Sequence, residues 1–169
     1  MRANVSAVTR PIALAAIALL LAPFQTSAAP ASVGAYYSVS DNKGPVGLYM
    51  DRRFVIPYRD GHKIVHLTTV YATPQIAQGL ATPFAISNIG MEFDCAQPRD
   101  QSVGLTLFDA DGNKLYEQPV ALVWSPIPDG SLAARMRSLA CGLAPWPAAA
   151  FSNGTLADLR RAYLHASGR

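Results

Sequence analysis

His62-Lys63-Ile64-Val65-His66-Leu67-Thr68-Thr69-Val70-Tyr71 is the stretch on which the fold turns. Half of its residues are β-branched, which suits the pleated backbone of a strand and strains the χ1 freedom of a helix. In a strand, Ile64, His66, Thr68 and Val70 share one face and the residues between them share the other. Asp60-Gly61 stands immediately before it. Glycine there accepts the positive φ that a tight turn demands, so the strand is entered from a reversal of the chain.

Further strands lie on either side. Upstream are Ala35 to Val39 and Val46 to Met50, joined through Asp41-Asn42-Lys43-Gly44-Pro45, and then an ambiguous short segment from Arg52 to Pro57. Downstream, Ala72 to Pro83 carries two prolines and a glycine and reads as a loop. Ile86 to Asp94 resumes as a strand and runs into Cys95. Gln101 to Phe108 and Lys114 to Val123 form a hairpin about Asp109-Ala110-Asp111-Gly112-Asn113. Connections this short predict antiparallel pairing, because a parallel crossover needs a dozen or more residues.

Helical patterning appears only late. Asp129 or Ser131 can cap a helix whose Leu132, Met136 and Leu139 fall on one face, with Gly142 as its stop. An ideal helix would put Cys141 nearly opposite Leu132, so the last turn is expected to unwind before Cys141. Leu143 to Ala150 is rich in proline and alanine and reads as irregular. Thr155 and Asp158 then make a capping-box pair ahead of a second amphipathic helix with Leu156, Leu159, Tyr163 and Leu164 on its apolar face. That helix is expected to pack back on the domain; the alternative is that it holds a partner. The fold class is therefore α+β: a mostly antiparallel sheet, one helix against it, and a C-terminal helix.

The chain opens with a second kind of pattern. Arg2 and Arg10 precede the 13-residue apolar run Ile12 to Phe24, and Thr26-Ser27-Ala28-Ala29 follow. This is the order of a secretory signal: basic, apolar, then small residues. A membrane span needs roughly 20 apolar residues, so the run is too short for an anchor. Cleavage is expected after Ala28, with Ala31 as the alternative. The organisation read from the sequence is thus a signal peptide at 1–28, a domain at 29–142, and a tail at 143–169. Loss of Arg2 and Arg10 leaves 12 basic against 11 acidic side chains, a net charge of +1. That balance gives no electrostatic case for nucleic acid.

Cys95 and Cys141 both lie in the exported part, where thiols oxidise and an even pair reads as a disulfide. Closing that loop stabilises the fold by roughly 4 kcal/mol in the chain-entropy account. A metal site lacks ligands. His62 and His66 have a chelating spacing only on a helix; on a strand they stand about 13 Å apart. The Asp109–Asn113 turn begins like a calcium loop, but the glycine and glutamate positions of such a loop hold Lys114 and Val120. There is no Gly-x-Ser-x-Gly elbow. Glu92 and Asp94 alternate on one strand face, where two carboxylates can pair; a solvated face is the commoner setting and the one expected here. Catalytic, metal and cofactor residues are all expected to be none. Arg52, Arg53, Arg59 and Lys63 gather around one turn and form the candidate partner-binding patch, although Asp51 and Asp60 offset them. A solvated loop is the other reading of that turn. Asn153-Gly154-Thr155 fits a glycosylation sequon, relevant only in a eukaryotic secretory pathway.

Several segments resemble the surface-adhesin protein E family of proteobacteria. They are Leu48-Tyr49-Met50-Asp51 with Phe54-Val55, and Asp60-Gly61-His62-Lys63-Ile64-Val65. Glu92-Phe93-Asp94-Cys95 adds a third, and Trp124-Ser125-Pro126-Ile127-Pro128-Asp129-Gly130-Ser131 with Ala140-Cys141-Gly142 a fourth. The resemblance covers Ala35 to Gly142. It implies a sheet with a helix tied to a strand by Cys95–Cys141, and a protein of the Gram-negative envelope, in the periplasm or on the cell surface. It also implies a non-enzymatic role in binding a protein partner, such as a host matrix protein or an envelope component, and allows a homodimer. A periplasmic assembly factor or a small-ligand binder are the alternatives.

Overall fold

The computed structural model describes residues 33–169; the signal-peptide reading lies outside them. The described residues form a nine-stranded sheet in which the strands pair antiparallel throughout. Its strands are β1 (Gly34–Ser38), β2 (Val46–Asp51), β3 (Ile56–Pro57), β4 (Lys63–Gln75), β5 (Phe84–Asp94), β6 (Arg99–Phe108), β7 (Lys114–Pro119), β8 (Ser125–Pro126) and β9 (Ser152–Gly154). The spatial order is β7-β6-β5-β4-β2-β1-β9, with β3 added to β4 and β8 to β6. Two helices, α1 (Leu132–Ala140) and α2 (Leu156–Ala166), complete the fold.

Strand alternation separates two cores. Met50, Val65 and Phe93 pack with Met136 and Leu139 of α1, and Leu48, Leu67 and Met91 join them. The opposite parity brings Tyr49 and Val70, with Tyr36, against Leu159 and Tyr163 of α2. The helices therefore cover opposite faces of the sheet. The C-terminal helix packs back on the domain, and Tyr163 Oη donates to the Gly44 carbonyl at 2.8 Å.

Local chemistry sets the ends of each helix. Ser131 caps α1 by accepting from the Ala134 amide at 3.1 Å. Cys141 lies just past the last helical residue and Gly142 takes φ +69°, so the helix unwinds where the sequence places its stop. Thr155 and Asp158 form the expected reciprocal capping box of α2.

Four local expectations need correction. The Ala72–Pro83 loop begins later, because β4 runs on to Gln75; no residue between Tyr71 and Pro74 has a partner in β5, and Pro74 sits within that irregularity. The strand read as Lys114 to Val123 stops at Pro119, and Leu122 and Val123 are exposed. The irregular tail contains β9, a strand too short to leave a periodic signal, which pairs with β1. His62 belongs to the turn rather than the strand: Asp60 and Gly61 both take positive φ, and β4 begins at Lys63.

Candidate functional site

Cys95 and Cys141 are joined, with their Cα atoms 5.5 Å apart. Beside the bridge, Arg137 of α1 donates from Nε to the Asp94 carbonyl and from Nη2 to the Cys95 carbonyl, both at 2.7 Å. Disulfide and guanidinium together fix the end of β5 against α1. The orientation of the next side chains depends on that end.

Glu92 and Asp94 alternate on β5 and share the α2-side face, near the opposite end of the strand from Ile86, which pairs with Val70 under α2. Both were expected in solvent, yet they are only 2% and 4% exposed. The Arg59–Gly61 turn and the segment leading into β8 close over them. His62 Nδ1 lies 2.7 Å from Glu92 Oε1, and Gln101 Nε2 donates to Oε2 at 2.6 Å. Asp94 Oδ1 accepts from the amides of Ala96 and Gln97, and Oδ2 accepts from Arg99 Nε at 2.8 Å. His62 Nε2 is 3.8 Å from the same Oδ2, and Arg59 Nε is 3.6 Å from Glu92 Oε1.

Burial pushes the Glu92 carboxyl up. Its hydrogen bonds with His62 and Gln101, helped by the charges of Arg59 and His62, outweigh burial and hold it below its ordinary value. Asp94 follows the same logic: burial raises it, but the Gln97 amide, Arg99 and the Ala96 amide bring it below the usual aspartate value. Both are therefore ionised at neutral pH. Trp124 closes the cluster, with its ring edge-on to His62 at 5.3 Å and Arg99 over its face at 4.8 Å. A shallow groove of ≈ 410 Å³ runs along this rim between Gln97–Arg99 and Trp124–Pro126.

The four basic residues read from the sequence divide between environments. Arg53 lies 3.6 Å from the buried Asp51, and Arg59 stands over the Tyr58 ring at 5.3 Å beside Glu92. Arg52 lies over Trp146, a ring packed against the α1-side core. Lys63 has the parity of Val65 and so faces that side too. Arg59 alone of the four reaches the carboxylate cluster.

His66, on β4, stacks on Phe54 with 5.9 Å between centroids. Burial lowers its pKa, and the Asp51 charge opposes this only in part. Among the described residues no group of three His, Cys, Asp or Glu side chains could hold a metal ion. The Asp109–Asn113 turn is held by Asp109 Oδ1, which accepts from the amides of Asp111 and Asn113. Sequence reasoning missed Arg99, Gln101 and His62 as partners of the carboxylates. The one available signal was parity: Arg99 and Gln101 have the same two-residue spacing on β6 as Asp94 and Glu92 have on β5.

Fold and site define a small disulfide-tied domain in which a helix is locked on an antiparallel sheet and the buried Glu92 and Asp94 are satisfied internally. The family model for surface-adhesin protein E matches residues 36–142, from β1 through α1, and the chain belongs to that family. Comparison with curated proteins and with solved structures gave no match. No helix among the described residues is long and apolar enough to cross a membrane.

Proposed function

We propose that this protein is an exported, non-enzymatic envelope protein that binds a protein partner in the manner of an adhesin. The observation that carries the reading is the family match, which spans the sheet and the disulfide-tied helix rather than an isolated motif. A disulfide fits an oxidising compartment. His62, Gln101 and Arg99 hold the buried carboxylates in place, which suits a structural part for them under the binding surface. The reading includes removal of the leader after Ala28 and a host matrix protein or another envelope component as the partner. Association of two copies belongs to it as well, and light scattering of the purified protein reads that directly.

The experiment is protease digestion of intact producing cells, with a known periplasmic protein as control. Digestion while the control survives places the protein on the surface and supports the adhesin reading. Protection until the outer membrane is opened makes it periplasmic and removes host matrix from the list of partners.

A further inference from the structure

Arg59 and Arg99 are held in an unusual way for side chains that reach solvent. Arg99 Nε donates to the nearly fully buried Asp94 at 2.8 Å, and Arg59 Nε lies at ion-pair distance, 3.6 Å, from the equally buried Glu92. Each also lies over an aromatic ring, Tyr58 at 5.3 Å and Trp124 at 4.8 Å. Yet the side chains remain 55% and 39% exposed. Arg99 gives only its Nε to Asp94, and its Nη groups make no hydrogen bond to the described residues. Each buried carboxylate is thus covered by a guanidinium that still reaches solvent; Asp60 is the exposed acid beside Arg59, whereas the outer edge of the Arg99 fork stays open next to Trp124.

Holding an arginine in place before binding lowers the side-chain entropy lost when it engages a ligand. Its planar fork is suited to a carboxylate. Arg, Trp and Tyr are also the residue types in which interface binding energy concentrates. The groove beside Arg99 has walls of Trp124, Pro98 and Pro126, which offer apolar surface next to that fork. Ile56, Tyr58, Leu122 and Val123 near this end are exposed as well.

We propose that this rim is the partner-binding site, and that it takes an extended acidic segment of the partner. An Asp or Glu carboxylate engages Arg99 and Arg59 while an adjoining apolar or prolyl residue lies on Trp124. The proposal rests on the protein-binding reading above and deepens it by naming the surface and the chemistry of what it holds.

The test is selection of a displayed random peptide library on the oxidised protein purified after export. The recovered peptides are then titrated against variants. Arg59→Gln and Tyr58→Ala alter exposed side chains, and their thermal midpoints report whether the fold survives. Trp124→Phe keeps an aromatic ring in the rim. The expected result is a set of peptides carrying Asp or Glu beside an apolar residue or proline. Their affinity should fall about tenfold or more in Arg59→Gln, and likewise when the peptide's acid is replaced by its amide. Binding should also weaken with added salt. Peptides without acids, or peptides that bind the variants undiminished, overturn the rim while leaving protein binding intact. Recovery of no peptide at all overturns the extended acidic segment. Adherence of intact cells with and without the protein, scored in parallel, then judges the protein-binding reading separately.

Discussion

His62 Nδ1 lies 2.7 Å from Oε1 of Glu92, across thirty residues of sequence. The contact ties a turn to the middle of the sheet, because Glu92 pairs with Ile64 at the start of β4 and with Gln101 on β6. Removing the imidazole leaves a buried carboxylate with Gln101 and the more distant Arg59. His62→Ala is therefore expected to destabilise the protein by about 1–3 kcal/mol. Urea unfolding checks this, and Gln at position 62, which retains a donor, should recover part of the loss.

The Cys95–Cys141 bridge closes a 46-residue separation. Denatured, unreduced protein should show no reactive thiol. Cys95→Ser should lower stability by roughly 4 kcal/mol, read as a fall in the urea midpoint. An unchanged midpoint would show that Arg137 and the α1 core hold the helix without help from the bridge.

Acid should unfold the protein in two windows. Folded His66 has a pKa below its ordinary 6.5, so below that pH the unfolded chain takes up the proton more readily and stability starts to fall. Glu92 and Asp94 have folded pKa values below their ordinary 4.5 and 3.8. Their stabilisation is present above those values and is lost as pH falls through the folded ones. Chemical unfolding from pH 8 to pH 3 should show both declines. His66→Phe should abolish the upper decline and Glu92→Gln should shrink the lower. A flat profile between pH 7 and pH 5 in the wild type would contradict the burial of His66.

Leu159 and Tyr163 are fully buried beneath α2, outside the stretch that the family model matches. Leu159→Ala should cost about 2–5 kcal/mol. Thr155→Ala, which removes the cap of the same helix, should cost about 0.5–2 kcal/mol. If neither moves the unfolding midpoint, α2 is an accessory to the fold and not part of its cooperative unit.

Where neighbours in sequence decide the outcome, the chain was legible. Ile64 to Val70 announced a strand by β-branching and alternation, and Ser131, Gly142, Thr155 and Asp158 marked helix ends through hydrogen bonds that span only a few residues. The unwinding before Cys141 followed from an adjacent glycine. The environments of Glu92 and Asp94 did not follow from anything local. Two carboxylates at alternate positions look the same on a solvated face as on a buried one. What decided between them was the arrival of Gln101 and Arg99 by strand register, of His62 and Arg59 by the Asp60-Gly61 turn, and of Trp124 by the return of β8 to β6. The same holds for β9, which exists only because β1 offers it an edge. Sequence by itself determined the longer strands and both helices, since their chemistry is short-ranged. Only the tertiary structure decided which charges are buried, since burial is set by whatever distant chain segments come to lie above them.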